Sequence, residues 1–452
     1  MMLKGYERYV LSLEAKWYLK IPSTWKSTKM RTLFIERVTK VSDKDYQALS
    51  VGKMGVVPQL EDAVKTDNGD NRKLICAGDF AINSRSDRKG SSGISHYTGS
   101  CSLIITVLKP HDKLNREFFN YLLRSNGYVE EFYRNGHGLV SDLWTTKWQE
   151  MKNIFVPVPP KQEQDKIVQF LDWKISEMNR FIHQKKKQNK LLEELKLTKI
   201  NNLVTKGLTH DVKYKQSNVE WLGEIPEHWD VDHIKQHFKI KKRIAGKEGY
   251  DVLSITQQGI KKKDISSNEG QMAQSYANYQ FVYPGDFAMN HMDLLTGYID
   301  ISKQFGVTSP DYRVFTLSDS EHCFAPFYLR VFQIGYKRKI FYKFGKGAAN
   351  QGRWRLPITA FYDYAIQVPP IDEQREIARQ CDEVEKQINE MISAINKEIT
   401  LVEELRTKLI SDVVTGQVDV RDVKIPAYET KTDIINSEDD TDEENLNESM
   451  EE

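Results

Sequence analysis

Between residues 371 and 415 the apolar side chains recur at steps of three and four. They fall at Ile377, Cys381, Val384, Ile388, Met391, Ile395, Ile399, Val402, Leu405, Leu409 and Val413. That spacing is the stripe of an amphipathic helix with a period close to a heptad. No proline or glycine occurs between Ile371 and Thr415, or between Lys161 and Lys206. Each stretch therefore predicts one unbroken helix, roughly 65–70 Å long at 1.5 Å per residue. Pro159-Pro160 and Pro369-Pro370 stop the strand-like runs ahead of them, and Glu163, Asp165, Asp372 and Glu373 suit a first helical turn. The first stretch keeps Ile167, Leu171, Met178, Phe181, Leu192, Leu195 and Leu203, and its stripe is interrupted near Lys185, Lys186 and Lys187. A lone helix of this length with one apolar stripe needs a partner. The other copy is the natural one, packed antiparallel, which would carry what lies between the helices to opposite ends.

Outside the helices the pattern shortens. Leu103–Leu108 and Tyr312–Leu317 read as strands, separated by glycine-rich connections at Gly90–Gly93 and Gly345–Gly352. Short helices are expected over Arg116–Tyr133 and Phe327–Phe344. The chain also repeats itself. Trp17 to Trp25, ending Ile21-Pro22-Ser-Thr-Trp25, matches Trp221 to Trp229, ending Ile225-Pro226-Glu-His-Trp229. Gly78-Asp79-Phe80-Ala81-Ile82-Asn83 matches Gly285-Asp286-Phe287-Ala288-Met289-Asn290. Val158-Pro159-Pro160 with Glu163-Gln164 matches Val368-Pro369-Pro370 with Glu373-Gln374, and that match runs on to Val204-Thr205 and Val414-Thr415. Three blocks in the same order make a duplication. The fold class expected is α+β: two mixed, β-rich domains separated by two long antiparallel coiled-coil helices, related by a pseudo-two-fold internal repeat. The expected boundaries are a first domain over 1–160, a helical spacer over 161–208, a second domain over 209–370, a second spacer over 371–418 and an acidic, disordered tail over 419–452.

Composition changes this picture in two places. The 452 residues carry a net charge of +1, yet residues 429–452 hold eleven acidic groups against Lys431 alone. The remainder therefore carries +1 − (−10) = +11, which suits a polyanionic partner. The four cysteines, Cys76, Cys101, Cys323 and Cys381, are scattered with no Cys-x-x-Cys pair, and the ten histidines show no metal-binding spacing. No apolar run approaches the ~20 residues of a membrane span, and the expected location is the cytoplasm, with no membrane partner.

DNA recognition needs cations for phosphates and amide or guanidinium groups for base edges. In the first half the loop Asn83, Arg85, Asp87, Arg88, Lys89 follows a predicted strand. In the second half the candidates are Asn290, His291 and Asp293 at the equivalent place, with Lys241, Lys242, Arg243, Arg313, Arg353 and Arg355. The Gly-Asp-Phe-Ala block reads as a turn-and-strand element. Trp25 and Trp229 read as core anchors, and the aromatics between Tyr336 and Phe344 as core. Enzyme signatures are missing from the sequence. There is no Gly-x-x-x-x-Gly-Lys-Ser/Thr loop, no Asn/Asp-Pro-Pro-aromatic tetrapeptide and no nuclease or His-Glu-x-x-His motif.

The repeat, the Trp-Leu-Gly-Glu-Ile-Pro-x-x-Trp opening, the Val-Pro-Pro-x-x-Glu-Gln helix starts and the Leu-Val-Thr-x-Gly helix end together resemble the specificity subunit of Type I restriction–modification enzymes. The resemblance runs from residue 1 to about 425. The first opening lacks Gly-Glu and the second helix ends Val414-Thr-Gly-Gln. The resemblance implies a non-catalytic subunit in which each domain reads half of a split site in double-stranded DNA and the helices set the unread gap. It also implies docking of two modification (methyltransferase) subunits, joined by two restriction (motor-nuclease) subunits. No cofactor is expected in this chain; S-adenosylmethionine, ATP and Mg are expected in the partners. A two-headed coiled-coil scaffold for protein partners is the alternative, and a fused methyltransferase or nuclease with a degenerate motif a further one.

Overall fold

The computed structural model describes residues 4–60, 69–138, 144–208, 212–265, 273–347 and 354–428. The expected α+β class is the one found. Helices Lys161–Lys206 and Ile371–Val414 are each continuous, as the absence of proline and glycine demands. Among the described residues no helix is long and apolar enough to cross a membrane.

Two compact units form, and their border cuts through both long helices. The first holds residues 1–185 and 397–452, the second residues 186–396. Each helix thus contributes one half to each unit. In the first unit Ile167, Phe170, Leu171 and Ile175 share a core with Leu409, Val413 and Val414. In the second, Ile200 and Val204 share one with Ile377, Ala378 and Cys381. The pairing is antiparallel in both units. Polar rungs along the seam match one register, because a cross-helix hydrogen bond is lost if the helices slip. Arg406 donates to Asn179 at 2.7 Å in the first unit. Asn189 donates to Asn396 at 2.8 Å and Lys196 to Asn389 at 3.0 Å in the second. The stripe is not buried throughout. Phe181, Leu195, Met391 and Leu405, expected in the seam, are exposed, as are Leu191 and Leu401.

The units share a sheet plan. The first has an antiparallel four-stranded sheet in the order Ser92–Ile94, Phe80–Asn83, Ile105–Pro110, Phe34–Glu36. The second repeats it with Ile299–Ile301, Phe287–Met289, Arg313–Leu317, Phe238–Lys241. Each Gly-Asp-Phe-Ala block is therefore a central strand, and its aspartate has a structural task. Asp79 accepts both Nε and Nη2 of Arg37, at 2.6 and 3.0 Å, together with the Cys76 amide. Asp286 accepts Arg243 at 2.7 Å and the Tyr283 amide.

The other repeated blocks clasp one another. The buried Trp25 indole donates to Glu163 and the buried Trp229 indole to Glu373, both at 3.0 Å. Gln164 donates to the Pro159 carbonyl and accepts the Asn115 amide. Gln374 does the same with Pro369 and Phe324, and donates also to the His322 carbonyl. The Ile-Pro-x-x-Trp and Glu-Gln motifs thus lock the start of each long helix to its domain.

Three local expectations change. Residues 116–133 form two helices, Arg116–Arg124 and Asn126–Arg134. Ser125 between them is extended, and its hydroxyl donates to the Leu122 carbonyl. The bend lets Phe118, Phe119 and Leu122 on one helix and Tyr128 and Phe132 on the other all enter the core. Residues 327–344 likewise divide into helix Ala325–Lys337 and a turn Phe341–Phe344. Lys339 adopts φ 55°, and the chain folds back so tightly that a Cβ on Gly335 would lie 2.6 Å from the Phe341 ring. Residues 419–428, expected in the tail, are packed: Val420 and Val423 are buried in the first core, with Ile425 and Tyr428 against it. Apolar side chains spaced by two to three residues make that segment part of the domain. The acidic residues 429–452 lie outside the described residues.

Candidate nucleic-acid interface

In both units the chain leaves the central strand at an asparagine and enters a loop pinned from beneath. In the first unit the Asn83 side chain accepts the Arg85 amide at 3.1 Å, the type of local turn that asparagine favours. A short turn follows over Ser86–Arg88, and the Ser91 amide closes onto the Arg88 carbonyl. The Tyr133 hydroxyl donates to the Arg85 carbonyl at 3.1 Å, and the Thr146 amide to the Ser84 carbonyl at 2.9 Å. The backbone is held while Arg85, Asp87, Arg88 and Lys89 all project outward and are exposed. Asp87 lies 3.2 Å from Arg85 and 3.9 Å from Arg88, and Lys89 pairs with Glu130 at 2.6 Å. Exposed pairs of this kind contribute about 0–1 kcal/mol. Exchanging them for phosphate or a base edge therefore costs little, and Asp87 orients the two guanidinium groups meanwhile.

The second unit repeats the scheme with other side chains. Asn290 accepts the Met292 amide at 3.2 Å. Tyr336 donates to the Asn290 carbonyl at 2.7 Å, and the Leu356 amide to the His291 carbonyl at 3.0 Å. Asp293 caps its own turn by accepting the Leu295 and Thr296 amides. Arg355 is exposed beside this loop, bridged across the backbone to the exposed Lys346. Lys241 and Lys242 lie at the end of strand Phe238–Lys241, Lys242 exposed. Arg353 lies outside the described residues.

Two expected contacts are placed elsewhere. Arg313 is buried; it donates to the Leu356 carbonyl at 2.8 Å and stacks at 4.7 Å over the Phe361 ring. Burial lowers its guanidinium to about 10. Its strand position opposite Met289 turns the side chain into the domain. Arg243 is held by Asp286 and stacked at 4.8 Å over Tyr283. Arg313 therefore serves the scaffold, while Arg243 is held by Asp286 with part of its side chain exposed. The sequence reading placed Tyr336 in the core, where it lies, but passed over the loop-holding role of its hydroxyl and that of Tyr133, and over Trp144 and Trp354 as hydrogen-bond donors. Those indoles donate to the Tyr133 and Tyr342 carbonyls, each at 2.8 Å. A signal was present: Tyr133-x-x-Gly136-x-Gly138 matches Tyr342-x-x-Gly345-x-Gly347, each followed by its tryptophan.

Burial, with Arg313 and Arg355 nearby, lowers His291 from the usual 6.5 to about 3, so the imidazole is neutral near pH 7. Its Nδ1 is buried with no hydrogen-bond partner among the described residues. The unfolded chain takes up this proton near pH 6.5 and the folded chain does not. The stability this group contributes is complete above pH 6.5 and is lost as pH falls from there toward 3. By pH 5 the loss is about 1–2 kcal/mol. His291→Gln is expected to flatten the difference in unfolding free energy between pH 7 and pH 5 by that amount in denaturant titrations. An equal pH dependence in both proteins would refute the burial effect.

Comparison with known proteins places a specificity domain in the second half of the chain. Residues 226–401 match the family described as Type I restriction modification DNA specificity domain. The MjaX type I restriction enzyme specificity subunit of Methanocaldococcus jannaschii is 23% identical over 408 residues, covering 86% of this chain and 87% of that protein. The MjaVIII specificity subunit of the same organism is 25% identical over 291 residues, covering 60% of this chain and 64% of that protein. The chain thus carries a Type I restriction modification DNA specificity domain over residues 226–401 and is similar over most of its length to a type I restriction enzyme specificity subunit. The strand order of the sheet inside the matched residues recurs in the first unit. The fold agrees. A chain from the solved structure described as the structural basis underlying complex assembly and conformational transition of the type I R-M system superposes with a TM-score of 0.62 at 12% identity. That superposition covers 88% of this chain and 100% of that one.

Proposed function

We propose that each unit reads one half of a bipartite site in double-stranded DNA. The carrying observation is the duplicated loop: one backbone arrangement, pinned by a tyrosine hydroxyl, presents Arg85, Asp87, Arg88 and Lys89 in one unit. It presents Asn290, Asp293 and, beside it, Arg355 in the other. A common scaffold with different side chains is what reading two different half-sites requires. Lys241 and Lys242 are assigned to phosphates. The paired helices set the gap between the half-sites and dock two modification subunits, which supply S-adenosylmethionine chemistry. Two restriction subunits with ATP and Mg complete the assembly. The exposed apolar residues support docking: Phe181, Leu401 and Leu405 in the first unit, and Leu191, Leu195 and Met391 in the second.

The test is methylome sequencing of cells expressing this chain with its modification partner; a bipartite adenine motif is the expected result. Arg85→Ala or Arg88→Ala is expected to weaken one half-site by about 1–3 kcal/mol per lost bidentate base contact, leaving the other half-site intact. Equal loss on every sequence would reassign these residues to phosphates. Inserting whole helical turns after both Lys187 and Lys397 is expected to lengthen the unread gap with base choice unchanged. An unchanged gap would sink the spacer role, and a chain that shifts no duplex DNA at any salt would favour the protein scaffold.

A further inference from the structure

In the second unit a mixed set of metal-ligating groups meets where strand Phe238–Lys241 begins and helix Ala325–Lys337 is about to start. The His237 ring lies between two carboxylates, Nδ1 at 3.0 Å from Asp319 and Nε2 at 2.8 Å from Asp232. Cys323 and His237 are both buried. The ligand atoms of His237, Asp319 and Cys323 all lie within 4.8 Å of one another. His322 places its Nδ1 3.0 Å from the other oxygen of Asp319. We propose that His237 Nδ1, Asp319, Cys323 and His322 form a structural site for a thiophilic divalent metal, with zinc as the best fit.

The chemistry supports zinc over its rivals. Imidazole with thiolate selects zinc over magnesium or calcium, which take oxygen. Tetrahedral bonds of about 2.0–2.3 Å put ligand atoms about 3.3–3.8 Å apart. For His237, Asp319 and Cys323 the spacing needs only a small closure; His322, held through Asp319, must swing in to complete the set. Asp232 strengthens the case, because a carboxylate on the far ring nitrogen is how metal-binding histidines are ordinarily oriented. On binding, the Cys323 thiol proton passes to solvent and the thiolate takes the metal. His237 binds through the Nδ1 lone pair while its Nε2–H donates to Asp232. No electron moves.

The first unit supplies an internal contrast. The Ser318 amide donates to the His237 carbonyl, and His111 donates in the same way to Leu33. The Phe324 amide donates to Gln374, and Asn115 to Gln164. These bonds align His237 with Leu33 and Cys323 with Leu114. Leu33 is buried in the first core and Leu114 packs against it. One copy closes this corner with two leucines, the other with a histidine and a cysteine.

The test uses the full chain, stripped with chelator and titrated with Co(II) as a spectroscopic probe, then with Zn(II). The expected result is saturable 1:1 uptake with a thiolate-to-cobalt band in the near ultraviolet, displaced by Zn(II), and a rise in melting temperature. Cys323→Ser is expected to lose the band, and Cys381→Ser, which alters a buried thiol outside the set, to keep it. His322→Ala changes an exposed residue and is expected to fold and to bind cobalt at least tenfold more weakly. Absence of 1:1 uptake, or a band surviving in Cys323→Ser, overturns the site. Unchanged affinity in His322→Ala overturns the four-ligand set.

Discussion

Trp229→Ala is expected to destabilise the second unit by about 4 kcal/mol, the cost of emptying a buried tryptophan site. Trp229 is fully buried among Ile225, Ile377 and the aromatic core, and its indole N–H is the link to Glu373. Glu373 keeps His228 at 2.9 Å, so its carboxylate is not abandoned, and the loss is mainly of packing. Trp229→Phe separates the two contributions. It retains most of the apolar contact and removes the donor, and about 1–2 kcal/mol is expected. Denaturant titrations read by hydrogen exchange should show protection falling in strand Phe287–Met289 and helix Ala325–Lys337, with the first unit unaffected. Equal effects of the alanine and phenylalanine variants would mean that the hydrogen bond, and not the packing, carries the clasp.

Gln374→Leu tests the other half of that clasp, and about 3–5 kcal/mol is expected to be lost although leucine is close in volume. The fully buried Gln374 amide accepts the Phe324 N–H at 2.7 Å and donates to the carbonyls of His322, at 2.7 Å, and Pro369, at 2.8 Å. A leucine leaves three backbone groups without this partner, that of Pro369 in a buried bond and those of Phe324 and His322 in part-buried ones, and an unmet buried group costs about 1–3 kcal/mol. Gln164 makes two such bonds in the first unit, so Gln164→Leu should cost less. Measured unfolding free energies give the ranking directly. A reversed order would show that water replaces the lost partners around residue 374.

These clasps explain why so much of the fold is visible in the sequence. The Ile-Pro-x-x-Trp and Pro-Pro-x-x-Glu-Gln blocks recur because Trp25 must find Glu163 and Trp229 must find Glu373. A clasp needs particular residues at particular separations, and such constraints leave a pattern in a duplicated chain. The Gly-Asp block persists for the same reason, since Asp79 and Asp286 each hold an arginine. The arginine's place was not legible: Arg243 looks like any surface cation in the chain, and only the fold brings it onto Asp286. The same holds for Arg313: a cation in a strand gives no sign of which face it occupies until its neighbours are known.

By itself the sequence determined the duplication, the two unbroken helices and their antiparallel partnership, because backbone continuity and apolar periodicity are local properties. The tertiary structure alone decided which stripe residues face outward, as Met391 and Leu405 do, and which cations stay exposed, as Arg85 and Arg88 do. It alone brought His237 to Asp319 and Cys323. Residues so distant along the chain meet only through sheet register and helix docking, and no local pattern encodes a meeting through space.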